Sequence, residues 1–183
     1  MELLWSTIFV LIAACHNLGR AAPTFDVMKD LDAGKFSSAR WWVTHRGGRL
    51  HEGHLDRCLV LSLSRRFNDQ KLYVEIDHEN SGAIDQAYFP ASIDSTGLQF
   101  SMENGENVRI DIIHTDYESY TIGYLTLAKR SDEFLVLYAN VPKPDGELLE
   151  KMKSKLLEIT GVGVDALQIV DNDNCPEKVN KEP

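Results

Sequence analysis

Apolar runs alternate with polar, turn-like segments through the middle of the chain. The runs are ARWWVTH (39–45), RCLVLSLSRR (57–66), KLYVEIDHE (71–79), AIDQAYFP (83–90), LQFSM (98–102), VRIDIIH (108–114), YTIGYLTLA (120–128) and FLVLYAN (134–140). The segments between them include FNDQ, ENSG, ENGEN and KRSDE. Short β-rich runs at this spacing, joined mostly by hairpin-length turns, predict an antiparallel barrel or sandwich.

Strict alternation within KLYVEIDHE assigns the two faces of one strand. Leu72, Val74 and Ile76 share one face because side chains alternate along a strand, and the polar residues between them share the other. His78 follows on the apolar face, at the end of the run. It either points inward among apolar neighbours or is solvated beside the ENSG turn.

The apolar period changes once, in PDGELLEKMKSKLLEITG. One helical stripe carries the apolar side chains Leu148, Met152, Leu156 and Ile159. Asp145 is placed to cap the start of this helix and Gly161 to end it. A stripe this narrow predicts that the helix packs on the outside of the sheet. A short final strand, ALQIV (166–170), is expected before Cys175.

The N-terminal segment MELLWSTIFVLIAAC has the length of a signal-peptide core rather than of a membrane span. Gly19 and Ala21 are small enough for the −3 and −1 positions of a cleavage site, so we expect cleavage after Ala21. The alternative is a bacterial lipobox with Cys15 lipidated; both readings lack the usual basic residues before the apolar core. Residues 22–183 would then form one secreted domain.

Signal removal leaves two cysteines, Cys58 and Cys175, which in an oxidising compartment most simply form one disulfide. Beyond Cys175 the polar tail is expected to be mobile. The formal net charge of −9 makes nucleic acid and anionic membranes poor partners.

The order of elements and one turn resemble lipocalins. Eight strands, a late helix and a last strand near a cysteine follow the lipocalin order, and TDYESY (115–120) resembles the second lipocalin signature between strands six and seven. The resemblance implies that Thr115, Asp116 and Tyr117 satisfy backbone groups at the closed end of a barrel. An ordinary tight turn is the alternative.

Two other signatures are incomplete. The Gly-x-Trp motif survives only as Ala39-Arg40-Trp41, without its glycine. The arginine that covers this tryptophan in the family is expected near Ala139 and is absent. Either another cation covers Trp41, or the closed end packs without one.

Longer stretches are most similar to apolipoprotein D and the insect bilin-binding proteins. These are FDVMKDLDAGKF and LLEKMKSKLLEITGVGVDALQIVDNDNCP, and the resemblance covers roughly residues 25–176. It also implies the Cys58–Cys175 pairing. Other stretches, WWVTH, IDHEN and STGLQF, resemble nitrophorins, the haem lipocalins of blood-feeding bugs.

The fold implied is all-β: an eight-stranded antiparallel up-and-down barrel with one C-terminal helix outside. Such a barrel encloses about one small ligand. The expected ligand-binding side chains include apolar wall residues, polar handles and His78: Trp41, Val43, Leu72, Val74, Ile76, His78, Tyr88, Phe100, Tyr124 and Tyr138.

The expected function is extracellular carriage of a small hydrophobic molecule such as a lipid, sterol, bilin or pheromone, by a monomer or weak dimer. No catalytic motif, cofactor or metal site is predicted. One alternative is a haem protein that carries a diatomic gas through His78, with haem or bilin as cofactor. Another is a salivary or humoral interaction protein that uses the barrel as a scaffold.

His51 and His54, in the connection after the first strand, are weak metal candidates and could make the entrance sensitive to pH.

Overall fold

The computed structural model describes residues 25–47, 57–65, 71–80, 82–129 and 132–176. Most of these residues form strands: β1 (Arg40–Gly47), β2 (Val60–Arg65), β3 (Leu72–Asn80), β4 (Ala83–Ile93), β5 (Gly97–Ser101), β6 (Asn107–Thr115), β7 (Tyr120–Leu127), β8 (Asp132–Ala139) and β9 (Gln168–Ile169). The helices of the same residues are α1 (Ala33–Ser37), α2 (Gly146–Thr160) and a 3₁₀ helix (Val164–Ala166).

Strand β1 closes the sheet. It pairs antiparallel with β2, where Trp41 lies opposite Leu61, and also with β8, where Val43 lies opposite Tyr138. Since every other strand from β2 to β8 pairs with its neighbour in sequence, the result is a closed eight-stranded up-and-down barrel. Strand β9 pairs with the far end of β1, outside the barrel. The barrel prediction is confirmed, and the sandwich alternative is wrong.

Two apolar layers lie on opposite faces of the barrel wall. The inner layer includes the fully buried Val74, Leu98 and Ile112. The outer layer is formed by side chains of β6, β7 and β8: Ile113, Tyr120, Ile122, Leu135, Leu137 and Ala139. Strand β8 is apolar on both faces because one face lines the interior and the other lies beneath α2.

Helix α2 begins and ends where the sequence predicts. Asp145 Oδ1 accepts a hydrogen bond from the Leu148 N–H at 2.8 Å. Gly161 ends the helix in the left-handed conformation, with φ of 68°, which favours a residue without a Cβ. Met152 and Leu156 are fully buried against the outer layer. Burial of each side chain contributes about 2 kcal/mol relative to exposure.

The predicted disulfide is present and anchors the C-terminal segment. Cys58 and Cys175 are 117 residues apart in sequence, and their Cα atoms are separated by 5.6 Å. The Cys58 N–H donates to the Asp171 carbonyl at 2.9 Å. Beside it, Arg57 forms an ion pair with the Asp171 carboxylate at 3.0 Å. These contacts hold the residues after β9 against the start of β2.

The turn between β6 and β7 is built around one carboxylate. Asp116 Oδ1 accepts hydrogen bonds from the backbone N–H groups of Glu118, Ser119 and Tyr120 at 3.1, 2.8 and 3.0 Å. Its other oxygen accepts from the Ser119 hydroxyl and from Lys151 Nζ of α2, the latter at 2.9 Å. Burial alone would raise the pKa of Asp116, but these hydrogen bonds outweigh burial and hold that pKa well below its usual range.

Thr115 and Tyr117 supply the other polar links of this turn. Thr115 Oγ1 accepts from the Tyr117 N–H at 3.0 Å and donates to the Tyr120 carbonyl at 3.1 Å. The Tyr117 hydroxyl accepts from the backbone N–H of Asp32 at 3.0 Å. Asp32 also caps α1 through Lys35. The side chains therefore satisfy backbone groups and join the turn to α1. We call α1, the start of β1 and this turn the floor of the barrel.

Trp41 is covered by an aromatic ring instead of a cation. Its Nε1 donates to the Phe36 carbonyl at 3.1 Å, and the two rings stack with centroids 5.6 Å apart. The neighbouring cation, Arg40, lies over Trp42 instead, at 5.4 Å from the ring centroid. Ala139, near which the family arginine is expected, is buried in the outer layer. Within the described residues the floor therefore packs without a cation on Trp41.

Several predictions concern parts of the chain outside the described residues. These are the leader at residues 1–21 with Cys15, the loop histidines His51 and His54, and the tail after residue 176; all remain predictions. Among the described helices, none has both the length and the apolar character required to cross a membrane.

Replacing both Cys58 and Cys175 with serine is expected to lower the free energy of unfolding by about 3 kcal/mol, because the disulfide restricts the unfolded chain over a long loop. Urea denaturation of the variant and of the oxidised wild type measures the difference. Equal midpoints for the two proteins would contradict this expectation.

Asp116→Ala is expected to lower the free energy of unfolding by about 2 kcal/mol, because three backbone N–H groups and Lys151 lose an ionised acceptor. Glu118→Ala, in the same turn, is the matched control and should change it by less than about 0.5 kcal/mol.

The stabilisation from Asp116 should also depend on pH. Because its pKa is lowered in the folded protein, the stabilisation is fully present above the ordinary carboxyl pKa of 3.8 and is lost as the pH falls below that value. The difference between wild type and Asp116→Ala in urea should therefore shrink on acidification. A difference that is constant from pH 7 to pH 3 would contradict the assignment.

Candidate ligand-binding cavity

A cavity of about 330 Å³ lies inside the barrel, above the floor. It extends towards the end of the barrel where the β5–β6 and β7–β8 turns lie, which we call the mouth. Most of its lining is apolar, including Phe100, Val108, Ile110, Leu125, Phe134 and Val136. Below it, only about 10 Å³ of space remains beside Phe36 and Trp41, so the floor is packed.

Four of the predicted wall and handle residues meet at this cavity. Val43, Ile76, Phe100 and Tyr138 line it on strands β1, β3, β5 and β8. Two others belong to the inner layer without lining the cavity: Trp41 lies in the floor, and Val74 is fully buried among apolar side chains. Leu72, at the start of β3, lies outside the inner layer.

Two predicted handles lie on the outside of the barrel, which corrects their assignment. Tyr88 is 40% exposed and lies opposite Glu75 on the outer face. Tyr124 packs against Phe25 and the outer layer, and its hydroxyl donates to Glu133. Strand β7 is apolar on both faces, so its composition did not reveal which face is inside.

His78 shares its face of β3 with Val74 and Ile76, as alternation predicts, but it does not line the cavity. It is half-buried near the β3–β4 turn, and its Nδ1 is buried without a hydrogen-bond partner in the described structure. An axial histidine must face the space that holds the porphyrin. The arrangement around His78 therefore does not fit a haem in this cavity.

Arg46 lines the cavity, although alternation along β1 from Trp41 and Val43 would place it outside. The register between β1 and β8 shifts between Val43 and His45, which is a β-bulge. Beyond this bulge the faces exchange: His45 turns towards α2, and Arg46 turns inward opposite Val136. A bulge leaves no clear mark in the composition, so the inward position of this cation could not be predicted from the sequence.

Glu106 and Asn104 place polar groups at the mouth. Glu106 lines the cavity, is only 3% exposed, and accepts a hydrogen bond from the Lys129 N–H at 2.7 Å. Asn104 Oδ1 accepts from the Glu106 N–H at 2.8 Å. Glu106 thus joins the β5–β6 turn to the β7–β8 turn. Both residues lie in a turn, where strand alternation predicts nothing.

Tyr138 is the polar group deepest in the cavity among the described lining residues. It borders both the cavity and the small space above Trp41, and it is 4% exposed. Burial raises the pKa of its phenol, so the hydroxyl stays protonated. The site can therefore remove apolar ligand surface from water and offer one neutral hydroxyl.

Other features of the described surface are less suited to enclosing a ligand. A depression of about 580 Å³ lies on the outer face of β4 to β7, where polar side chains such as Gln99, Asn107 and Arg109 line it. In the described part of the chain no three His, Cys, Asp or Glu side chains are grouped to hold a metal ion.

A closed eight-stranded barrel with an interior cavity, one helix packed outside and a further strand on β1 is the lipocalin fold. Comparison with solved structures agrees. Insecticyanin from the tobacco hornworm Manduca sexta superposes with a TM-score of 0.63 at 13% identity, over 85% of this chain and 89% of that one.

Two further solved structures are similar. The amine binding protein of Rhodnius prolixus, in its tryptamine complex, gives a TM-score of 0.60 at 16% identity over 80% of this chain and 84% of that one. The cockroach major allergen Per a 4 gives 0.63 at 16% identity over 84% and 98%. No protein-family profile and no curated protein sequence matches this chain. At these identities the likeness shows the fold alone.

Proposed function

We propose that this protein is an extracellular carrier that holds one small, largely apolar molecule in the barrel cavity. The observation that carries the proposal is the mainly apolar space of about 330 Å³ inside the barrel, above a packed floor. A fully packed core would leave few voids larger than a water molecule, so a space of this size suits a guest molecule.

The size of the cavity narrows the class of guest. Ligand pockets in proteins commonly span about 300 to 1,000 Å³, and a volume of about 330 Å³ is at the lower end. This favours a molecule of one or two rings, or a short chain, over a haem or a bilin. Tryptamine, the ligand of one structural neighbour, is of this size. The closer resemblance to apolipoprotein D and the insect bilin-binding proteins rests on sequence stretches and does not fix the ligand.

The apolar lining can bind a small ligand with measurable affinity. Removal of about 300 Å² of apolar ligand surface from water contributes on the order of 7 kcal/mol. Part of this is offset by the loss of ligand freedom. Without that offset, 7 kcal/mol corresponds to a dissociation constant of about 10 μM, so we expect a constant of tens to hundreds of micromolar. Binding of this kind needs no catalytic group, which agrees with the absence of catalytic motifs from the sequence.

Secretion is supported by two independent features. The Cys58–Cys175 disulfide is of a kind that persists in oxidising compartments. The apolar N-terminal segment has the length of a signal peptide. The carrier would therefore act outside the cell.

Binding is tested with N-phenyl-1-naphthylamine, a small apolar dye whose fluorescence rises when it leaves water. Wild type is expected to bind it saturably in the micromolar range. Leu125→Trp places an indole in the cavity and should weaken binding about tenfold or more, because the dye and the indole compete for the same space. Thr126→Trp, one residue further along β7 and on the outer face, is the matched control.

Equal binding by the two tryptophan variants, each folded by circular dichroism, would place the dye elsewhere and contradict the proposal. An absence of saturable binding by wild type would do the same.

Expression of the full chain in a eukaryotic secretory host is expected to yield protein in the medium that begins at or near Ala22, because the signal peptide is removed. N-terminal sequencing measures this directly. Protein that stays inside the cells with an intact N-terminus would contradict extracellular function.

A further inference from the structure

The Tyr138 side chain packs against the barrel wall beside Gly123. Tyr138 lies opposite Val43 of β1 and Thr121 of β7. A Cβ added to Gly123 would lie 3.2 Å from Tyr138 Cε2 and 3.2 Å from Ile110 Cγ2. Because Gly123 has no side chain, the tyrosine ring has room against the wall at this point, with its hydroxyl facing the cavity.

Tyr138 is only 4% exposed, and its hydroxyl, which has no hydrogen-bond partner among the described residues, opens onto the space of the cavity. Thr121 lies directly opposite Tyr138 on β7. Its hydroxyl donates to Thr115 Oγ1 at 2.8 Å and belongs to the floor. Buried hydroxyls are normally paired, because an unpaired one loses the hydrogen bonds that water would supply. A group brought by a ligand would provide the missing partner.

Among the described residues that line the cavity, the charged ones, Arg46 and Glu106, belong to backbone positions nearer the mouth than Tyr138. Arg46 lies opposite Val136, two residues further along β8 towards the mouth than Tyr138, and the tyrosine ring itself reaches Gly123, which also lies opposite Val136. Glu106 lies at the mouth itself, on the β5–β6 turn. A charged ligand group beside Tyr138 would lose water, which is costly. A neutral group carries no such penalty.

We propose that Tyr138 determines the ligand class: the cavity takes small molecules whose inner end carries one uncharged hydrogen-bonding group, a hydroxyl or a carbonyl, on an apolar body. Any charged group of the ligand stays at the mouth, beside Arg46 and Glu106. This inference rests on the proposed carrier function and adds the chemistry that the carrier selects.

The test compares two probes of nearly equal shape, 2-naphthol and 2-methylnaphthalene, as competitors for the bound N-phenyl-1-naphthylamine. They differ in having a hydroxyl or a methyl group. Each probe is measured with wild type, with Tyr138→Phe, which removes only the phenolic oxygen, and with Tyr124→Phe, which removes a phenolic oxygen on the outside of the barrel. Circular dichroism and urea midpoints verify that the three proteins are equally folded.

Tyr138→Phe should weaken 2-naphthol binding about tenfold and leave 2-methylnaphthalene within about twofold of wild type, because only the first probe loses a buried hydrogen bond. Tyr124→Phe should change neither affinity. If both probes bind wild type and their affinity ratio is the same in Tyr138→Phe, the inference is overturned while the carrier function stands. If neither probe nor the dye binds wild type, the carrier function itself fails, and the inference fails with it.

Discussion

The pairing of β1 with both β2 and β8 is the constraint on which the rest of the molecule depends. It turns a sheet with two open edges into a closed wall, so that no long strand edge in the barrel is left to associate with other chains. A closed wall also separates an inside from an outside. The inner layer, the cavity and the position of α2 all follow from that separation.

Strand β1 also determines which of its side chains line the cavity. Below the bulge, Val43 points inward beside Tyr138, and above it Arg46 points inward towards the mouth. A regular strand would have left Arg46 in solvent and His45 in the cavity. The bulge thus adds a cation to a lining that is otherwise mainly apolar.

The floor of the barrel is stabilised by the turn between β6 and β7 and by an aromatic ring on Trp41. Asp116 binds three backbone N–H groups, and Tyr117 connects the turn to α1. Phe36 stacks on Trp41, at the place where the resemblance to lipocalins predicts a cation. With the floor packed in this way, the open space of the interior lies towards the mouth.

The elements of the fold could be predicted from the sequence because each has a local cause. Alternation predicts the strands, Asp145 and Gly161 fix the ends of α2, and the remaining cysteines form the predicted pair. The candidate site was predicted only in part. Tyr138 lines the cavity as expected, whereas Tyr124 lies outside, because a strand that is apolar on both faces gives no alternation from which to choose a face.

The positions of residues that depend on an irregular backbone could not be predicted from the sequence. Arg46 is turned inward by a bulge, and Glu106 is buried within a turn. Neither position belongs to a regular period, so neither could be assigned to the cavity from the pattern alone. The polar part of the site is therefore visible only once the strand register is known.

Crystals of the protein grown with 2-naphthol would test the central claim most directly. We predict electron density for the bicyclic ring inside the barrel, among Phe100, Val136 and Leu125, with its oxygen within hydrogen-bond distance of the Tyr138 hydroxyl. An interior filled by protein side chains, with the compound bound only on the outer surface, would contradict the account.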